Sequence, residues 1–382
     1  MSEEQLKKLR MQIAAIDQEL IELIAKRRGL SRQVAQLKYD NSLQIRDLNQ
    51  ERNLLFKLLN QAEELGIEKE TTKQIFHNII ADSVKTQYQY FINPKAAEHQ
   101  KSTVAVLGNR FSYSAIACKQ HFNHKGAQLD LHYCQNFNAV IDSLREKSAD
   151  FAIVPIENTN SGDINEIYEL LINNQLFIVG EEKLKVNHCL IANPNSKLAQ
   201  IRQVYAHPQA AQQTSAFFDA NNKISLHYSS STSEALDRLL QDSCDVTTAA
   251  IASSYAANEL NLNILKENIN NQQANYTRFL ILSRQTLTIP PQVATKTSVL
   301  FQAKNEFGSL SKCLQLFQQH QININKIVSR PIYAQPWKEL FYLEFEGNVQ
   351  DQSVKDLLFK LESESSQLRI LGSYPASISE VK

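Results

Sequence analysis

The sequence predicts a multidomain protein: an all-α segment, then a two-lobed α/β segment, then an α+β segment of ferredoxin-like order. Three observations carry this. Over about the first ninety residues, apolar positions recur at three- and four-residue steps. From about 103 to 285, short apolar runs alternate with helical patterns. Beyond residue 296 the pattern reads strand, helix, strand, strand, helix, strand.

Composition narrows the function classes. A chain of 382 residues can form two or three domains, each with its own core. Forty basic and forty acidic residues cancel and form no basic stripe, which argues against nucleic acid as a partner. The five cysteines (Cys118, Cys134, Cys189, Cys244 and Cys313) are scattered, with no CxxC or His/Cys ligand spacing. Neither a disulfide frame nor a metal site is expected, and nothing implies a cofactor. No apolar run approaches the length that crosses a bilayer, and MSEEQLKKLR is no secretory signal. The expectation is a soluble cytoplasmic protein with no membrane partner.

In the first segment Leu6, Leu9, Ile13, Ile16, Leu20, Leu23, Leu30, Val34 and Leu37 form a heptad seam, interrupted at Arg27. So long a helix cannot bury its seam on itself and needs another helix or another chain. Two shorter helices follow, at 47–65 and 69–92, with Gly66 as the stop between them. The seam's polar interruptions carry information. A buried Arg27 requires an anionic partner. Asp47 and Glu51 lie one turn apart, and Ile75 and Ile79 continue at the same step into Ser83 and Gln87. Arg10 and Lys38 flank the seam at opposite ends. Singly, each reads as a satisfied core group or a snorkelling side chain. Together they describe a polar pocket inside a helical bundle, lined by cations and donors.

A polar linker from Asn93 to Ser102 leads into the strand TVAVLG, 103–108. Further strands are expected at 151–156, 177–180, 188–192, 203–206, 224–228, 247–252 and 278–283, making a mostly parallel sheet in two lobes. The stretch DFAIVPIENTNSGDINEIYELL, 150–171, is strand, polar glycine-containing loop, helix. Open α/β sheets bind small anions at such places. Polar residues recur at other strand ends: Ser112-Tyr113-Ser114, His207-Pro208-Gln209, Ser229 to Ser233 and Thr277-Arg278. Each alone is more often a helix cap. As a set, hydroxyls and amides with few acids suit a carboxylate substrate in a cleft.

A second linker, IPPQVATK at 289–296, precedes the last segment. There TSVLFQAK, ININKIVSRP, KELFYLEFEG and LRILGSYP read as strands, with GSLSKCLQLFQQH and VKDLLFKLES as helices. Gly308 opens the first helix, where free backbone amides can take a carboxylate.

Three resemblances cover the chain in order. LxxLRxxIxxIDxxLIxLIAKRRxL, RDxxxER and ADSVxTQ resemble the AroQ-type chorismate mutase domain, over 1–92. That implies an intertwined helical homodimer rearranging chorismate to prephenate. Arg27 and Arg10 of the partner subunit would hold the two carboxylates. Lys38 and Gln87 would donate to the breaking ether oxygen, Asp47 and Glu51 would meet the ring-hydroxyl side, and Ser83 would assist binding. Catalysis would come from a held conformer and fixed donors. VPIENTNSGDI, AHPQAAQQ and NYTRFLIL resemble prephenate dehydratase, over 103–285. That implies two lobes like those of periplasmic binding proteins and conversion of prephenate to phenylpyruvate. Thr277 would donate to the departing hydroxyl. Asn158, Ser161, Gln213 and Arg278 would position substrate, and Glu157 would order the loop or relay a proton. His207 ranks low as an acid, because its motif reads as structural. The last segment, 297–382, resembles an ACT domain. That implies feedback inhibition by phenylalanine near Gly308, Ser309, Leu310, Ser329, Arg330 and Pro331.

The chain departs from these families' usual residues at Gln50 (often Arg), Phe111 and Ala252 (Gly) and Val328 (Glu), and has GSL where GAL is usual. Phenylalanine inhibition is therefore expected to be weak. The whole resembles the bifunctional mutase–dehydratases of phenylalanine synthesis. Its rivals are a dehydratase that prefers the transaminated substrate arogenate and a sensor that keeps the folds without the chemistry.

Overall fold

The computed structural model describes residues 3–41, 43–92, 102–122, 129–241, 245–290, 293–332 and 338–376. The first linker, except Ser102, and Cys244 lie outside the described residues, as does 377–382. Two compact units are formed. One holds the first three helices and a short segment that includes Ile289 and Val293; the other holds the rest.

The heptad seam forms one uninterrupted helix, α1 (Glu3–Asp40). Asp47 caps α2 (Leu48–Glu64), accepting from the Asn49 and Gln50 backbone N–H groups at 3.1 and 3.0 Å. Gly66, at φ +73°, supplies the left-handed residue after α2. Then α3 (Lys69–Ile92) runs parallel to α1, with Arg27 against Ser83 and Tyr39 against the Tyr90 and Phe91 rings. These helices do not cover the seam: Leu20 is 52% and Leu30 60% exposed.

The second unit begins with β1 (Ser102–Leu107), α4 (Tyr113–Phe122), β2 (Leu129–Cys134), α5 (Phe137–Arg145), β3 (Phe151–Asn158), β4 (Gly162–Asp163), α6 (Asn165–Asn173) and β5 (Phe177–Lys185). The chain then crosses to a second lobe. This contains β6 (Cys189–Ala192), β7 (Gln203–Ala206), α7 (Pro208–Gln213), α8 (Ser215–Ala220), β8 (Ser225–Tyr228), α9 (Thr232–Leu240), β9 (Thr248–Ala252), α10 (Ser254–Glu259) and β10 (Asn263–Lys266). The long β11 (Tyr276–Ser283) returns to the first lobe.

The first sheet has the order β2-β1-β3-β11-β5, with β4 on β3; the second is β10-β6-β9-β7-β8. The expected mostly parallel sheet is corrected: both sheets are mixed. β1 runs parallel to β2 and β3, but β11 is antiparallel to both β3 and β5. The cause is the double crossover. β5 leaves the first lobe and β11 comes back beside it, so the two must oppose. In the second lobe β6 is likewise antiparallel to β9. Two edge strands, β2 and β10, escape sequence reading because they are short and half polar.

The last segment is β12 (Thr295–Ala303), α11 (Ser309–Gln319), β13 (Ile324–Pro331), β14 (Glu339–Glu346), α12 (Gln352–Glu364) and β15 (Ser365–Pro375), in sheet order β13-β14-β12-β15. Strand alternation gives this sheet two apolar faces. Val299, Phe301, Leu343 and Phe345 pack under α11 and α12 with Phe317 and Leu361. Leu300, Leu340, Tyr342 and Tyr374 face the other way and join the first-lobe core around Val154, Tyr168 and Ile178. Gly372 permits this approach, since a Cβ there would stand 2.4 Å from the Ile178 carbonyl oxygen.

Candidate active sites

In the helical unit, α3 meets Arg27 of α1 one turn apart, at Ile79 and Ser83. Arg27 Nη1 donates to the Ile79 carbonyl at 3.1 Å and to Ser83 Oγ. It shares a cavity of about 190 Å³ with Ile24, Arg28, Asn78 and Asp82. Burial pulls the Arg27 pKa down while Asp82 pushes it back up. The anionic neighbour expected for Arg27 is thus Asp82, which also pairs with Arg28 at 3.3 Å. One turn beyond Ser83, Gln87 is buried, and its Oε1 has no hydrogen-bond partner among the described residues. Lys38 donates to the Ile45 carbonyl at 2.5 Å. Its pKa is lowered by burial against the opposing pull of Asp47 and Glu51. Asp47 serves as the α2 cap, and Glu51 takes a bidentate grip from Arg46 at 3.0 and 2.6 Å. Sequence reading quoted Arg46 within RDxxxER but gave it no role. Arg10 is exposed. It lies 17 residues before Arg27, about 26 Å along the same helix. A single chain therefore does not bring Arg10 to this cavity.

In the second unit a cleft lies between the lobes, lined by Tyr113, Asn158, His188, Gln209, Gln213 and Thr277 among others. Asn158 ends β3 and organises it. Its amide Nδ2 donates to Thr277 Oγ1 at 2.9 Å and Asn275 Oδ1 at 2.7 Å. Its Oδ1 accepts from the Asn160 and Ser161 N–H groups and from Ser161 Oγ at 2.9, 3.1 and 3.2 Å. Gly162, at φ +78°, lets this loop close. Because Thr277 Oγ1 accepts from Asn158, its own proton is turned to another acceptor.

The opposite wall comes from the second lobe. Gln213 Oε1 accepts from Asn275 Nδ2 at 2.8 Å and lies 3.0 Å from His188 Nε2. An amide oxygen can only accept, so His188 carries its proton on Nε2. Nδ1 then faces the Tyr113 hydroxyl at 3.3 Å. Burial lowers the His188 pKa and raises that of Tyr113, so both are neutral. Gln209 reaches across to Ser161 Oγ at 2.8 Å. His207 lines the cleft and caps α7, its Nδ1 accepting from the Gln209 N–H at 3.3 Å. His188 and Asn275 were missed. Asn275 was legible two residues before Thr277, just ahead of β11; His188 gave no sequence signal.

Arg278 requires a correction. Neighbours on a strand face opposite ways, so with Thr277 in the cleft Arg278 points out of it. It lies buried between Glu157 at 2.5 Å, Glu181 at 3.1 Å and Glu344 at 2.9 Å. Glu157 likewise faces away from the cleft, towards Arg278 and Lys326. Burial works against the Arg278 charge, but Glu344 and Glu181 more than offset it and keep it ionised.

In the last segment Gly308, at φ +75°, opens α11; Ser309 Oγ donates to the Lys304 carbonyl at 2.5 Å, and Leu310 packs on the local core. Ser329 and Pro331 are exposed on β13. Arg330 is corrected in the same way as Arg278. It occupies the other strand face, donating to Asn165 and lying 5.0 Å from the Tyr168 ring.

Among the described residues no helix is long and apolar enough to cross a membrane, and no cluster of His, Cys, Asp and Glu could hold a metal. The chorismate mutase type II family matches residues 9–88, prephenate dehydratase 104–287 and the ACT domain 297–363. Relatives match nearly throughout. The bifunctional chorismate mutase/prephenate dehydratase of Enterobacter agglomerans is 34% identical, over 96% of this chain and 95% of its own length. That of Escherichia coli K12 is 33% identical, over 98% and 97%. Among solved structures, the Arthrobacter aurescens prephenate dehydratase in complex with L-Phe is 28% identical. Its TM-score is 0.65, covering 72% of this chain and 90% of that one. GqqA, described as a novel type of quorum quenching acylase, is 30% identical with the same TM-score, over 72% and 98%. Fold and sites together define a two-activity enzyme with an appended regulatory domain. The chain belongs to the bifunctional chorismate mutase/prephenate dehydratase family of phenylalanine biosynthesis.

Proposed function

We propose that two separate sites carry the two reactions, in domains spanning 1–92 and 103–285, with 297–382 regulatory. At the first, Arg27 and Ser83, with Arg10 of the partner subunit, hold the chorismate carboxylates. Lys38 and Gln87 donate to the ether oxygen as negative charge grows there, and Asp47 and Glu51 face the ring hydroxyl. The exposed α1 seam supports a homodimer, since a second copy would bury Leu20 and Leu30 and bring an Arg10 to the cavity. At the second site, Thr277 passes its hydroxyl proton to the leaving ring hydroxyl of prephenate and takes a proton back from solvent. Water departs, the carboxylate leaves as carbon dioxide and the ring becomes aromatic. Asn158, Ser161 and Gln213 position the substrate. The observation that carries this reading is the Asn158–Thr277 bond, in which Thr277 Oγ1 accepts and so keeps its own proton for another acceptor. The enzyme acts in the cytoplasm and releases prephenate between its sites. Phenylalanine binds the regulatory domain near Gly308, Ser309, Leu310, Ser329 and Pro331.

The test is turnover of chorismate and of prephenate by Arg27→Ala and Thr277→Ala. Arg27→Ala abolishes only the first reaction. Thr277→Ala lowers the second by about 10²-fold or more, in the range of general acid catalysis, and leaves the first intact. Equal loss of both activities in either variant refutes separate sites.

A further inference from the structure

The rung of the dehydratase sheet next to the catalytic one is held by the regulatory domain. Thr277 pairs with Asn158, and the next pair along, Arg278 with Glu157, turns its side chains to the opposite face. A register shift follows at once, between Arg278 and Phe279. Facing this second rung is a cross-strand pair of the regulatory sheet, Lys326 on β13 with Glu344 on β14. The charges are complementary: Arg278 bonds Glu344 at 2.9 Å, and Lys326 bonds Glu157. Glu344 is 1% exposed and also accepts from the Tyr342 hydroxyl at 2.6 Å. Lys326 reaches Asp163 as well, at the far end of the loop that Asn158 organises. On the same face of β13, Arg330 reaches Asn165 at the start of α6. The opposite face of β13, with Ser329 and Pro331, is exposed.

We propose that β13 and the Lys326/Glu344 rung transmit the state of the regulatory domain to Thr277. They do so by fixing the Arg278/Glu157 rung one residue from the catalytic pair. Lys326 and Glu344 are thus positioning residues for the dehydratase reaction, supplied from outside its domain. A ligand on the exposed face of β13 shifts the strand whose other face grips the catalytic loop. The first part rests on the ion network and on the reading of Thr277 as catalytic given above. The part concerning phenylalanine rests on the effector reading above.

The experiment compares wild type, Glu344→Gln and Lys326→Gln in the full chain, with chorismate turnover as the internal control for folding. Misplacing a catalytic group slightly costs up to about 10²-fold. Both variants are expected to lose about tenfold or more in dehydratase kcat with KM within about twofold, at unchanged mutase rate. Both should also require at least about tenfold more phenylalanine for half-inhibition, as befits a severed coupling. Wild-type dehydratase kcat in Lys326→Gln overturns the proposal, and that variant decides alone if Glu344→Gln does not fold. A kcat loss that persists while wild type itself ignores phenylalanine supports the positioning role and sinks only the effector reading.

Discussion

At the residue scale, strand alternation decides which polar group faces the cleft. Asn158 and Glu157 are adjacent, as are Thr277 and Arg278, yet one of each pair enters the cleft and the other enters a buried ion cluster. Glu157 feels burial, which alone would raise its pKa, but Arg278 and Lys326 outweigh it and hold the carboxylate below its ordinary value of 4.5. The folded-state pKa is depressed, so the stabilisation is complete above about pH 4.5 and is lost as pH falls through the lower folded value. Urea midpoints of the wild type should therefore drop as pH falls below 4.5, and Glu157→Gln should flatten that dependence. An unchanged slope in the variant would show that other carboxylates carry it.

At the scale of elements, the loop between β1 and α4 shows how two departures from family pattern belong together. Phe111 sits on a first-lobe loop, but its ring is 8% exposed within the second-lobe core. That core also contains Ala252, Ile191 and Leu236. Asn109 on the same loop accepts from Ser233 Oγ of α9 at 2.6 Å, and Lys119 of α4 donates to the Tyr255 hydroxyl of α10 at 2.7 Å. Phe111 therefore does not crowd the cleft; it fastens one lobe to the other. Truncating a buried Phe costs about 3 kcal/mol or more. Phe111→Ala should lower unfolding stability by about that amount and raise the prephenate KM, because the lobes are no longer held in register. Wild-type KM and stability would remove the fastening role.

At the scale of the whole molecule, the helical unit leaves an apolar seam open while the other unit closes a core shared by two sequence segments. Their responses to mutation should differ accordingly. Leu20→Lys places a charge in the exposed seam that the proposed homodimer would bury. It should shift sedimentation from dimer to monomer and lower chorismate turnover by at least about tenfold, leaving prephenate turnover intact. A dimer that survives this change would place the interface elsewhere.

Sequence alone determined the order of the three segments and most of their elements, and it singled out Asn158, Gln213 and Thr277, which line the cleft. These are properties of local period and of motifs within one loop or strand end, which a linear chain displays directly. It also marked Arg27 as needing an anion, because a charge on an apolar seam is visible without a fold. Only the tertiary structure decided that Asp82 supplies that anion and that His188 and Asn275 complete the cleft network. It likewise turned Arg278 and Arg330 away from the ligand sites expected for them. Each of these depends on which strands become neighbours and on which face of a sheet a second segment covers. That choice is made by long-range burial, as where β11 returns between β3 and β5 and the regulatory sheet closes over it.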